Sequence, residues 1–224
     1  AKTLLARLVS RLIDARFSRV QFTPDLMPSD VLGTSVFNMK TSEFDFHPGP
    51  AFADIVLADE INRAPAKTQA ALFEVMEERQ ATIDGTSYAM GDVYTIIATQ
   101  NPVEQEGTYK LPEAQLDRFL VKVTMGYPTP EEEFEILMRH QRHPLHDLSH
   151  VTPILSHDEL IEMRGVMSRV VVDDEVLRYI CRITDQTRHS RSIYLGASPR
   201  AAVAMLGMAK AYALLHGRDF VCPR

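Results

Sequence analysis

Two adjacent carboxylates, Asp59 and Glu60, close the apolar run Ile55-Val56-Leu57-Ala58. Four apolar residues ending on such a pair are the pattern of a buried parallel strand whose carboxyl end opens on a site. The pair can divide the work of phosphoryl transfer to water. Asp59 would hold a hydrated Mg²⁺, and Glu60 would orient and deprotonate a water in line with a γ-phosphate. The bland alternative is that both are the first polar residues after a strand. Lys2-Thr3, immediately ahead of a helical pattern, bears on that choice. A phosphate-binding loop ends this way: the lysine reaches the β- and γ-phosphates and the threonine hydroxyl binds Mg²⁺. Alone, the dipeptide reads as an exposed helix start. An Mg·ATP site needs both halves, and Asp59-Glu60 supplies the second.

Three more residues have candidate roles. Asn101 follows the apolar stretch Val93–Thr99, at a strand end where α/β sheets place ligand contacts. Its amide could hold the attacking water or sense the γ-phosphate, although Asn101-Pro102 also reads as an ordinary turn. Arg118 precedes the apolar run Phe119–Val123 and is either a surface cation or an arginine finger acting on a neighbouring subunit's site. Arg200 follows Ser198-Pro199, a helix cap and first helical residue. The helix dipole disfavours an arginine there, which favours a phosphate contact.

The elements needed to position these groups are legible. Leu4, Leu5, Leu8, Leu12 and Ile13 have helical spacing, and 19–23 reads as a short strand. Residues 25–54 are rich in proline, glycine and lone aromatics and read as an insertion of loops and a hairpin, with one arm over 39–46. A helix is expected over 65–78, a hairpin around Asp84-Gly85, a strand over 93–99 and another over 119–123. Beyond Tyr127-Pro128 the pattern is helical, roughly 130–141, 157–168, 174–188 and 198–216, with 170–172 a short extended link. His143, His146 and His150 could be drawn as zinc ligands. Pro144 interrupts their face and no cysteine supports them, so a solvated loop is the preferred reading.

Lys2-Thr3, the block GPAFADIVLADEINRAPAKTQAALFEVMEE over 49–78, ATQNPVEQEGTYKLPEAQLDRF over 98–119 and GASPRA over 196–201 resemble the MoxR family of AAA+ ATPases across essentially the whole chain. The resemblance implies an α/β fold: an AAA+ P-loop core with a parallel sheet over 1–127, then a small helical lid over 128–224. It implies Lys2 and Thr3 in Walker A, Asp59 and Glu60 in Walker B, Asn101 as sensor 1, Arg118 as arginine finger and Arg200 as sensor 2. Segments 25–54 and 81–92 correspond to the helix-2 insert and the pre-sensor-1 hairpin. Ala1 stands where the general P-loop pattern has glycine. The strand and glycine-rich turn of Walker A are expected upstream of residue 1, and the C-terminus reads as truncated.

The implied activity is Mg·ATP hydrolysis that remodels or matures partner proteins. A finger in trans calls for a ring, by analogy a hexamer, acting on client proteins or with von Willebrand factor A domain partners. A nucleotide-responsive scaffold with little turnover and a DNA-associated motor are the alternatives. Intact Glu60, Asn101 and Arg118 disfavour the first. A net charge of −6 and the absence of Lys or Arg from 81–92 disfavour the second. With 45% apolar and 24% charged residues the chain is an ordinary globular one. Cys181 and Cys222 show no metal-type spacing and suggest a reducing, cytoplasmic setting. No apolar run approaches the ~20 residues of a membrane helix.

Overall fold

The computed structural model describes residues 2–100, 111–142, 148 and 150–223. In chain order the elements are α1 (Lys2–Leu12), β1 (Phe17–Gln21), α2 (Pro28–Leu32), β2 (Gly33–Asn38), β3 (Glu43–Pro48), β4 (Ile55–Asp59) and α3 (Ala66–Glu78). There follow β5 (Gln80–Ile83), β6 (Thr86–Ala89), β7 (Thr95–Ala98), α4 (Glu113–Leu116), α5 (Pro130–Arg142), α6 (His157–Ser168), α7 (Asp174–His189) and α8 (Pro199–Leu215). They form two compact units, one of residues 1–110 and 123–157, the other of 111–122 and 158–224.

In the first unit a parallel sheet has the order β1-β4-β7. β4 is the middle strand, which explains its unbroken apolar run: Ile55, Val56, Leu57 and Ala58 are all buried, because both faces of a parallel sheet are covered. Phe22, Leu72, Phe73 and Val75 complete the core. Gln69 Nε2 of α3 donates to the carbonyls of Ile61 and Ala64 at 3.1 and 3.0 Å, pinning the turn that leaves β4.

Two hairpins project from this unit. Asp84 and Gly85 both have positive φ, 50° and 80°, as the turn between β5 and β6 requires. The other hairpin pairs β2 with β3, so the 39–46 arm expected from sequence is in fact a turn at 39–42 and a strand from Glu43. Its base is a close crossing: a Cβ on Gly49 would stand 2.5 Å from Gly33 N and Val31 O, so no side chain fits. Phe46 of β3 stacks on Tyr88 of β6 with centroids 4.0 Å apart, clipping the two hairpins together.

Asp54 joins the start of β4 to that of β1. Its Oδ2 accepts the backbone N–H and Nε of Arg16 at 2.9 and 3.2 Å, and its Oδ1 accepts Arg16 Nη2 at 2.9 Å. The hydrogen bonds from Arg16 hold the Asp54 carboxyl below its ordinary value, outweighing the opposing effect of burial. Asp54→Ala is expected to cost about 1–2 kcal/mol in urea unfolding at pH 7, discounted because the Arg16 side chain is largely exposed. A depressed carboxylate stabilises above its unfolded pKa and loses that contribution as pH falls through the lower folded value. The gap between wild type and Asp54→Ala should therefore narrow below pH ~4.

The expected strand over 119–123 does not form: residues 119–129 are irregular, with Leu120, Val121 and Val123 exposed. A strand needs a partner to receive its backbone hydrogen bonds, and none of the described strands pairs with this segment. The first strand also starts and ends two residues earlier than expected, at Phe17 and Gln21, which puts Arg19 at its centre.

The second unit is mainly helical. Asp173 caps α7 by accepting the Glu175 N–H at 2.8 Å. Val171 bridges to Phe220, so the expected extended link is tied to the end of the chain.

Candidate functional site

β4 ends at Asp59, and the chain turns at Glu60, which has φ 56° and ψ 47°. This is the left-handed region, where a side chain costs about 1–2 kcal/mol and the surroundings must hold the residue in place. Thr99, just past β7, does so. Its hydroxyl accepts the Glu60 N–H at 2.9 Å and donates to Asp59 Oδ1, and its carbonyl accepts the Ile61 N–H at 3.0 Å.

The other oxygen of Asp59 faces β1. Arg19 donates Nε and Nη2 to Oδ2 at 3.1 and 2.7 Å. Gln21, directly opposite Asp59 in the parallel register, accepts Arg19 Nη2 at 2.6 Å through Oε1 and donates Nε2 to Glu60 Oε2 at 3.1 Å. Arg63 Nη1 donates to the same Glu60 oxygen at 2.9 Å. Burial, the largest single influence, pushes Asp59 up, but the Thr99 and Arg19 hydrogen bonds and the charges of Arg19 and Lys2 together hold it below its usual value.

α1 packs against β4, and the charge of Lys2 is the smallest of the influences that lower Asp59. Lys2, Thr3, Asp59 and Glu60 all belong to the first unit. The donor set fits Mg²⁺: an ionised carboxylate and a hydroxyl are the hard oxygen ligands that cation takes.

Asn101 lies outside the described residues, as do His143 and His146. Among the described residues no cluster of His, Cys, Asp or Glu could hold a metal by itself. Arg118 and Arg200 belong to the second unit. Ser198 caps α8 by accepting the Ala201 N–H at 3.2 Å and donates its own hydroxyl to Asp117 Oδ1 at 2.6 Å. That bond ties the segment carrying half-buried Arg118 to the helix start carrying exposed Arg200. A cavity of about 300 Å³ beside it is lined by Asp117 and Arg200 with Phe119, Leu120, Ala204 and Met205.

Reading residues one at a time missed Arg19, Gln21, Arg63 and Thr99. The available signal was alternation: Arg19 and Gln21 flank buried Val20 and therefore share a face.

The sequence profile described as ATPase family associated with various cellular activities (AAA) matches residues 1–121, and that of the AAA lid domain matches 185–224. The chain is 42% identical over 233 residues to Chaperone MoxR1 of Mycobacterium tuberculosis (strain ATCC 25618 / H37Rv), covering 100% of this chain and 61% of that protein. The chain belongs to the MoxR family of AAA+ ATPases. It is also 49% identical over 223 residues to YeaC, an uncharacterized protein of Bacillus subtilis (strain 168), covering 99% of this chain and 69% of YeaC. The crystal structure of an inferred ATPase from Cytophaga hutchinsonii ATCC 33406 superposes with a TM-score of 0.89 at 41% identity, covering 100% of this chain and 70% of that one. Membership of the MoxR family carries nucleotide binding with it, and the three-stranded parallel sheet with its helices is the AAA+ core. No helix among the described residues is long and apolar enough to cross a membrane.

Proposed function

We propose that this MoxR-family chain is an Mg·ATP-dependent ATPase that works as a ring, by analogy hexameric, to remodel or mature client proteins. The observation that carries the proposal is the carboxylate pair at the end of the middle strand, with Glu60 held in a left-handed turn and Thr99 joining its N–H to Asp59. In this reading Lys2 binds the β- and γ-phosphates, and Thr3 with Asp59 holds Mg²⁺, which neutralises phosphate charge when bound. Glu60 takes the proton of a water whose oxygen forms the new bond to the γ-phosphorus as the bridging oxygen leaves with ADP. Its Oε2 already accepts from Gln21 and Arg63, so Oε1 is the oxygen for that water unless one donor releases.

Asn101 would orient the same water. Arg118 would stabilise transition-state charge on an adjacent subunit's nucleotide, and Arg200 would contact phosphate from the lid. The family analogy divides the chain into a core over 1–127 and a lid over 128–224. The printed name of the Mycobacterium relative is that of a chaperone, which supports a client-directed role. A von Willebrand factor A domain partner and a cytoplasmic setting follow from the family analogy. Net charge of −6 disfavours a DNA-directed motor.

Phosphate release from ATP, followed with Mg²⁺ and then with excess EDTA, tests the central step. Turnover is expected with Mg²⁺ and should fall to background with EDTA. Binding without turnover at any protein concentration would leave the scaffold in place of the enzyme.

A further inference from the structure

Arg19 already pairs with the carboxylate that the proposed function gives to Mg²⁺. A carboxylate offers about four lone-pair directions. On Asp59, three donors already use them: Thr99 on Oδ1, and the Arg19 Nε and Nη2 groups on Oδ2. A divalent cation would have to approach the remaining direction with the Arg19 positive charge 2.7 Å from Oδ2. Two like-signed cations on one carboxylate compete, and two guanidinium N–H groups converging on Oδ2 make Arg19 a direct competitor for that oxygen.

The two partners are unequally free to move. The Arg19 side chain is 47% exposed and that of Asp59 15%. Arg19 can therefore swing fully into water, where its charge is hydrated, whereas Asp59 ends a buried strand and is clamped by Thr99. Gln21 Oε1 helps hold the arginine in place from its other side.

Resting on the reading of Asp59 as a metal carboxylate, we propose that Arg19 is a cation latch. It occupies Asp59 Oδ2 when no metal is present and leaves when Mg²⁺ enters with nucleotide. Arg19 is in this account a positioning residue that sets metal affinity. It touches neither phosphate nor the attacking water, which separates it from Lys2 and Glu60.

Mn²⁺ can replace Mg²⁺ as a probe, its free form counted by electron paramagnetic resonance during titration of the full chain with the β,γ-imido analogue of ATP. Arg19→Met is expected to lower the Mn²⁺ concentration at half-saturation by about two- to fivefold, the range open to a half-exposed ion pair. Arg19→Gln, a second neutral replacement, should shift it the same way. Arg19→Lys, which keeps the charge and loses the fork, should fall between them and wild type. Affinity for the analogue in EDTA should stay unchanged throughout. An unchanged or higher half-saturation in both neutral variants overturns the latch, as does weaker analogue binding in EDTA, which would make Arg19 a phosphate contact. Asp59→Asn separates the two layers. If it weakens Mn²⁺ binding while the Arg19 variants do nothing, only the latch fails. If it leaves Mn²⁺ binding unchanged, the metal reading of Asp59 fails as well.

Discussion

Glu60→Gln is expected to lower ATP turnover by roughly 10²–10⁴-fold, the usual contribution of a positioned general base, while Mg·ATP still binds. The substitution is close to isosteric, and the left-handed turn survives it because Thr99 holds the backbone N–H of residue 60 at 2.9 Å rather than its side chain. An amide in that place can still accept from Gln21 and Arg63, but it cannot take a proton from water. Binding measured with a fluorescent ATP analogue, beside phosphate release, separates the two effects. Turnover left intact would remove Glu60 from the chemistry. Loss of binding along with turnover would mean that the residue supports the pocket.

Arg118→Ala is expected to be comparably damaging, because a finger arginine supplies roughly 10³–10⁵ of rate in phosphoryl-transfer sites. The informative experiment mixes two inactive proteins. Arg118→Ala subunits keep Glu60, and Glu60→Gln subunits keep Arg118, so in a mixed ring some interfaces recover both. Phosphate release should then rise from background as the two are combined, in step with the assembled fraction seen by mass photometry. No recovery from fully assembled mixtures would place the arginine's action within its own subunit or outside catalysis. Arg118→Lys should not replace the arginine, since an ammonium lacks the planar fork.

Local pattern carried the sheet centre, the helix after it and the helical C-terminal half. Ile55 to Ala58 read as a doubly covered strand, since four consecutive apolar residues in a strand leave no face for water. Asp84-Gly85 announced its hairpin because both positions need positive φ. The four helical stretches beyond residue 130 all form, with Asp173 and Ser198 accepting backbone N–H groups as caps. The run 119–123 misled for a related reason. Its side chains suit a strand, but strand formation depends on a neighbour, and β-propensity records only a fit to a pleated, half-buried surface.

The chemistry divides in the same way. The sequence alone determined which residue types were candidates for phosphate, metal and water, because Lys2-Thr3 and Asp59-Glu60 are contiguous pairs whose spacing is covalent. Only the tertiary structure decided what surrounds them. Arg19 and Gln21 reach Asp59 and Glu60 because β1 lies parallel to β4 in a register that sets Gln21 against Asp59. Thr99 joins them because β7 flanks β4 on the other side. A one-residue slip of either strand would turn those side chains to the opposite face, and register is fixed by packing across the whole sheet rather than by any short stretch of sequence.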